Sequence, residues 1–223
     1  MRVTYDVEAA LGKLKRADRR LGSLINRVAK AGLAAELTPA EEFSPCASLA
    51  RSIMYQQLSG KAAATIVGRV ETAIASDRFH CDTLARIDDP ALRGCGVSGN
   101  KLLALRDLAR REEAGEIPSL RRMTGMDDDA IVAALVPVRG IGRWTVEMML
   151  MFRLGRPDVL PIDDLGIRKG AQVVDKAGAM LAPKALAERG ECWGPYRSYA
   201  SFYLWRIADA ASNAKQAVAR SQD

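Results

Sequence analysis

The chain has 223 residues, 48% of them hydrophobic, enough to bury a sizeable core and too many for a disordered chain. A surplus of 33 Lys and Arg over 27 Asp and Glu leaves a net charge of +6, which suits a polyanionic partner without specifying one. No run of about 18 apolar residues occurs and "MRVTYDVEAALGKLKRADRR" lacks an apolar signal core, so a membrane span is excluded and a cytoplasmic protein is expected, nucleoid-associated if bacterial.

Helical periodicity governs most of the chain. In "DVEAALGKLKRADRRLGSLINRVAKAG", Val7, Leu11, Leu14, Leu21, Leu24, Ile25 and Val28 recur at three- and four-residue steps, which predicts one helix stopped at Gly32. "LTPAEEFSPCASLARSIMYQQLSGKAAATIVGRVETAIAS" predicts a short turn, then two helices broken around Gln57–Gly60, with Ser59 placed to cap the second. "CDTLARIDDPALRGCGVSGNKLLALRDLARREEAG" reads as a short helix, a glycine-rich turn and a helix from near Ser98. "DDDAIVAALVPVRGIGRWTVEMMLMFRLG" reads as helix, tight hairpin and helix, over residues 129–154. "DDLGIRKGAQVVDKAG" and "PYRSYASFYLWRIADAASNAKQ" complete the set. Alternating β patterns are scarce and no internal repeat is evident. The expectation is an all-α fold of about ten helices, one domain over residues 1–223 with two lobes and a cleft between them.

Cys46, Cys81, Cys95 and Cys192 form no C-x-x-C pair, so neither a zinc knuckle nor an iron–sulfur cluster is expected. His80 is the single histidine and reads as structural or neutral. Two other segments carry the chemistry. In "LVPVRGIGRWTVEMML", Gly140 and Gly142 flank Ile141. A two-glycine turn lets the backbone approach a ligand and adopt positive φ, and the N–H groups opening the next helix face outward toward an anionic oxygen. Arg139 and Arg143 add positive charge, and Ile141 would plug the hairpin between its helices. Such a turn grips a nucleic-acid backbone without reading sequence. In "VLPIDDLGIRKG", Asp163 and Asp164 stand where a helix begins. They are either cap residues or a charge kept for chemistry on something cationic.

"VRGIGRWT", the downstream "LPIDDLGIRKG", the upstream "SIMYQQLSGKAA" and the late "PYRSYASFYLW" together resemble the helix–hairpin–helix DNA glycosylases, within them the 3-methyladenine DNA glycosylase II type. The segments follow the family's order and cover Leu49 to Ile207; each alone is common, and the combination is specific. The resemblance is to the compact version, without the N-terminal β-domain that some members carry.

The resemblance implies a fold with a helix–hairpin–helix motif followed by a catalytic Asp loop. It implies an enzyme that flips a damaged base from duplex DNA and hydrolyses its N-glycosidic bond in base excision repair. The family's catalytic aspartate falls on Asp164, where a fixed carboxylate would stabilise positive charge developing on the deoxyribose. A helix over Arg143–Leu154 rises about 18 Å and the following eight residues reach roughly 26–29 Å, so the chain can return Asp164 beside the hairpin. Adjacent helix residues point in different directions, so the two aspartates are not a glycoside-hydrolase pair. Asp163 is assigned the cap and Asp164 the cleft, with the reverse left open. Trp144 stands where strand-cutting members carry a Schiff-base lysine, which implies a monofunctional enzyme with water as acceptor.

Trp144 and Trp205 fall on the family's pocket aromatics, and Met148 replaces another. An aromatic face attracts a cationic purine such as 3-methyladenine or 7-methylguanine by ~0.5–2 kcal/mol, and such a base leaves without a general acid. Gln57 falls on the wedge that fills the gap left by the flipped base, with Leu58 as its neighbouring candidate. Lys101 is offered as a phosphate contact, and the carbonyls of Val136, Val138 and Ile141 as ligands of a monovalent cation, Na or K. No other cofactor is expected. The implied partner is double-stranded DNA bearing alkylated bases, and the implied state a monomer. The main rival is a non-catalytic helix–hairpin–helix DNA-binding module, which has no use for Asp164 or the tryptophans. A bifunctional oxidised-base enzyme would need lysine at Trp144.

Overall fold

The computed structural model describes residues 6–30 and 42–220. Every regular element among them is helical: α1 Val7–Ala17, α2 Arg19–Lys30, α3 Pro45–Tyr55, α4 Gly60–Ile74, α5 Cys81–Leu84, α6 Asp89–Gly94, α7 Gly99–Glu113, α8 Leu120–Thr124, α9 Asp128–Leu135, α10 Arg143–Phe152, α11 Leu165–Asp175, α12 Pro183–Arg189 and α13 Arg197–Arg220. A 3₁₀ turn over Glu191–Trp193 precedes α13. Among the described residues, no helix is long and apolar enough to cross a membrane.

These are more helices than the ten expected, for two reasons. Short segments acquire their own caps: Asp88 and Pro90 start α6, Ser119 starts α8 and Pro183 starts α12. Such pieces are too short to show a period. The long N-terminal segment, expected as one helix, breaks at Asp18, which is extended (φ −140, ψ 95) and accepts from the amide of Leu21 at 3.0 Å. Leu14 and Leu21 stay fully buried on either side, so the apolar spacing runs through a break it does not register. Gly32, the expected stop, lies outside the described residues.

The chain forms two compact units, Met1–Ala40 with Leu150–Asp223, and Glu41–Met149, the boundary falling inside α10. In the first, Ile167, Ala171 and Val174 of α11 bury against Tyr203, Leu204 and Ile207 of α13, with Leu14, Leu21 and Ile25 beside them. Each fully buried large apolar side chain contributes about 1.5–3 kcal/mol. Gly170 permits this packing, because a Cβ there would lie 2.1 Å from the carbonyl oxygen of Leu204. One buried polar cluster crosses the core. Asp18 pairs with Arg189, which also holds Asp175 at 3.1 Å, and Asp18 accepts from the indole N–H of Trp193 at 3.0 Å. Burial alone would raise the Asp18 pKa, but the hydrogen bonds from Leu21, Trp193 and Arg189 and the Arg189 charge bring it below its ordinary value.

In the second unit, α3 packs on α7 and α4. Leu49, Ile53 and Met54 of α3, Val67, Val70 and Ile74 of α4, and Leu105 and Leu108 of α7 are buried. Ser59 caps α4, its hydroxyl accepting from the amide of Ala62, as its position predicts. The 55–59 loop and the α9–α10 hairpin both belong to this unit.

Candidate active site

The hairpin between α9 and α10 is built by main-chain turns and braced from outside. The Ile141 amide donates to the Val138 carbonyl at 3.0 Å, and both side chains are buried, Ile141 being 4% exposed. Gly140 has φ +79, the left-handed region that glycine enters at no steric cost. Gly142, expected to share that conformation, does not, and open space surrounds its Cα where a Cβ would stand. Two side chains from elsewhere in this unit hold the turn by its backbone. Asp107 on α7 accepts from the Arg139 amide at 2.9 Å, and Gln56 donates its side-chain N–H to the Gly140 carbonyl at 2.8 Å. Burial would raise the Asp107 pKa; the Arg139 amide and the Arg110 and Arg111 guanidiniums bring it down to about 2. At the start of α10 the Gly142 carbonyl accepts from the Thr145 amide at 3.0 Å, and the helix opens there with the positive end of its dipole.

Two cations assigned to phosphate in the sequence have other partners. Arg143 donates from Nε to Glu147 at 3.0 Å and from Nη2 to Asp129 at 3.1 Å. Lys101 donates from Nζ to the carbonyls of Met54 at 2.8 Å and Gln56 at 2.7 Å. Its ammonium therefore secures the end of α3 and fixes where the 55–59 loop departs. Arg139 is exposed, its backbone alone being pinned. In that loop Gln57 takes φ 57, a left-handed conformation unusual for glutamine, and both Gln57 and Leu58 are exposed. On α10, Trp144 is 48% exposed, and Met148, one turn on, is half-buried.

In the other unit, the loop leading to α11 is laced to the start of α13. Asp158 takes both Nε and Nη2 of Arg197, at 2.8 and 2.6 Å, and also accepts the Arg197 amide. The Ser198 hydroxyl donates to the Arg156 carbonyl at 2.6 Å and accepts from the Val159 amide at 2.9 Å. That lacing explains "PYRSYASFYLW": its polar positions position the loop that delivers the aspartates. Asp164, not Asp163, is the N-cap of α11, its Oδ1 accepting from the Ile167 amide at 2.8 Å. The same oxygen accepts from the Trp205 indole N–H at 2.8 Å. Asp163 is exposed. The division of labour expected from sequence is thus reversed for the cap: one carboxylate both starts the helix and faces the tryptophan, because the turn from Pro161 to Asp164 makes Leu165 the first helical residue.

Trp205 stacks on Phe152, ring centroids 5.9 Å apart at 25°. Phe152 was not singled out by the sequence reading, although Trp144, Met148 and Phe152 recur at four-residue spacing. Gly166 was missed too. A Cβ there would lie 2.7 Å from Cδ1 of Trp205, so glycine is what lets the indole reach Asp164.

A family model described as "HhH-GPD superfamily base excision DNA repair protein" matches residues 50–195. The chain belongs to this superfamily. It is 32% identical over 176 residues to the DNA-3-methyladenine glycosylase 1 of Schizosaccharomyces pombe, covering 78% of this chain and 77% of that protein. It is also similar to the solved DNA-3-methyladenine glycosidase of Bacillus halodurans (TM-score 0.80, 32% identity, 96% of this chain and 94% of that one). A second solved relative, the S. pombe 3-methyladenine DNA glycosylase in complex with abasic DNA, aligns with TM-score 0.73 and 29% identity over 89% of this chain and 95% of that one. The all-α reading and the family both stand.

Proposed function

We propose that this protein is a monofunctional DNA glycosylase that flips alkylated, cationic purines such as 3-methyladenine and 7-methylguanine out of duplex DNA and hydrolyses the N-glycosidic bond. The observation that carries the reading is the Asp164 carboxylate, held on one oxygen by the Ile167 amide and the Trp205 indole N–H. An anion fixed in this way needs little reorganisation when charge appears beside it. As the C1′–N bond breaks, its electron pair leaves with the base. The cationic purine departs neutral and the sugar becomes the cation that Asp164 stabilises. Water then adds to C1′ and loses a proton to solvent.

The Trp205–Phe152 stack offers a cationic base an electron-rich surface next to that anion. Trp144 supplies no amine, so no Schiff base forms and the sugar–phosphate backbone stays intact. The hairpin amides would bind phosphate, with Gly140 and Gly142 allowing close approach and exposed Arg139 adding charge. Gln57 is the wedge on this reading: it is exposed and held in a costly conformation, a kind of strain that gathers at functional sites. The carbonyls of Val136, Val138 and Ile141 would hold a monovalent cation; that of Val138 accepts one amide and keeps a second lone pair. When bound, such an ion adds positive charge to the phosphate grip.

Base release from duplexes each carrying one defined lesion tests the reading. Cationic 7-methylguanine and 3-methyladenine should be freed faster than neutral hypoxanthine, with no covalent adduct trapped by borohydride. DNA binding without release of any base would leave the non-catalytic module; a trapped adduct would make the enzyme a lyase.

A further inference from the structure

The fold assembles Cys46, His80 and Glu112 into one cluster that the base-release chemistry does not use. Cys46 lies in the first turn of α3, His80 immediately precedes α5, and Glu112 is near the end of α7. One donor atom from each, the Cys46 sulfur, a His80 ring nitrogen and a Glu112 oxygen, lies within 4.8 Å of the other two. Around a tetrahedral zinc ion, with bonds of about 2.0–2.3 Å, donor atoms stand roughly 3.3–3.8 Å apart. Small side-chain rotations therefore convert the cluster into a coordination shell. His80 Nδ1 and Glu112 Oε1, at 2.6 Å, would part as the ion enters between them, with the neutral imidazole carrying its hydrogen on Nε2.

We propose that Cys46, His80 and Glu112 form a zinc-class divalent cation site with three protein ligands and an open fourth position. The donor set is one thiolate, one imidazole and one carboxylate, a combination suited to a borderline-soft ion. Thiolate and carboxylate carry two negative charges, so the loaded site is neutral, which a partly buried location favours. A cavity of about 300 Å³ lined by all three residues, with Phe43, Ile117 and Pro118, leaves room for a water as fourth ligand.

Glu112 already has a structural task, accepting the Cys81 amide at 2.6 Å on its other oxygen, and that bond orients the carboxylate as an outer partner would. Capping alone gives no role to the thiol beside it. Cys46 is 1% exposed, and burial, then the hydrogen bond and charge of Glu112, hold the thiol far above its ordinary pKa. A thiol that ligates the ion gives up its proton to solvent on binding. The bound ion would tie together the ends of α3, α5 and α7.

The test uses the full chain, reduced and stripped with a chelator, titrated with cobalt chloride and then zinc chloride. One cobalt per chain is expected, with tetrahedral d–d bands and a thiolate charge-transfer band, both erased by one equivalent of zinc. Zinc should also raise the unfolding midpoint. Cys46→Ser should lose the charge-transfer band and the zinc-induced rise, while Cys192→Ser, an exposed cysteine outside the cluster, keeps both. Should Cys46→Ser fail to fold, His80→Gln takes its place with the same expected losses. Absence of stoichiometric uptake by the wild type, or an unchanged cobalt spectrum in the folded variant, overturns the site. Base release is not the readout, so failure here leaves the glycosylase reading untouched.

Discussion

The α9–α10 hairpin and the loop entering α11 are both braced by neighbouring side chains, but different things are held still. In the hairpin, Asp107 and Gln56 act on main-chain groups, the Arg139 amide and the Gly140 carbonyl. What is fixed there is backbone, the part of a protein best suited to meet a phosphate that is the same at every nucleotide. In the α11 loop, Asp158, Arg197 and Ser198 fix the path of the chain, and Trp205 then fixes a side-chain oxygen. Grip tolerates imprecise side chains; charge stabilisation at a reacting carbon does not. Substitutions in the two regions should separate binding from chemistry.

The largest effect is expected at Asp164. Asn caps helices as well as Asp does, so Asp164→Asn should fold normally while base release falls by ~10²–10³-fold, the scale of losing one electrostatic stabiliser. Asp163→Asn, at an exposed position, should leave the rate nearly unchanged. Next comes Trp205→Phe, which keeps a ring to stack on Phe152 but removes the N–H on Oδ1. Loss of a hydrogen bond to a charged group is worth about 1.5–3 kcal/mol, so single-turnover release should slow by roughly 10- to 100-fold, with affinity for undamaged duplex unchanged. An equal fall in both would show that the indole serves the fold alone.

Gln57→Gly should split two properties. Relief of the left-handed conformation should raise stability by up to about 1 kcal/mol, while loss of the wedge slows release, with 2-aminopurine fluorescence reporting less flipping. If Leu58→Ala does this instead, the wedge is the next residue along. The smallest effect concerns the hairpin brace. The folded-state pKa of Asp107 is depressed to about 2 from an ordinary 3.8, so its contribution is intact above the ordinary value and is lost as pH falls toward 2. Asp107→Ala should abolish that acid-dependent component in urea titrations and weaken duplex binding at neutral pH. An unchanged pH profile of stability would remove Asp107 from the brace.

The hairpin was legible in the sequence because glycine spacing encodes a backbone shape directly. Asp164 was legible as a candidate, yet its capping role was misassigned to Asp163. Both residues satisfy the same cap preference, and only the one-residue boundary of α11 separates them. Lys101 and Arg143 were read as phosphate contacts because sequence displays a charge without its partner. The Met54 carbonyl lies 47 positions from Lys101, and Asp129 lies a hairpin away from Arg143. Cysteine spacing does not display the Cys46, His80 and Glu112 cluster, because the start of α3, the residue before α5 and the end of α7 meet only in the fold. Gly166 was illegible because its importance is the volume of Trp205, which only packing reveals.

The most direct test of a fixed anion working on a developing cation is a paired measurement on wild type and Asp164→Asn. Single-turnover release from a duplex with one 7-methylguanine would be followed alongside affinity for abasic duplex. The account predicts that release collapses while affinity stays within about twofold, because the hairpin grip is independent of that carboxylate. Wild-type release by a folded Asp164→Asn protein would contradict it.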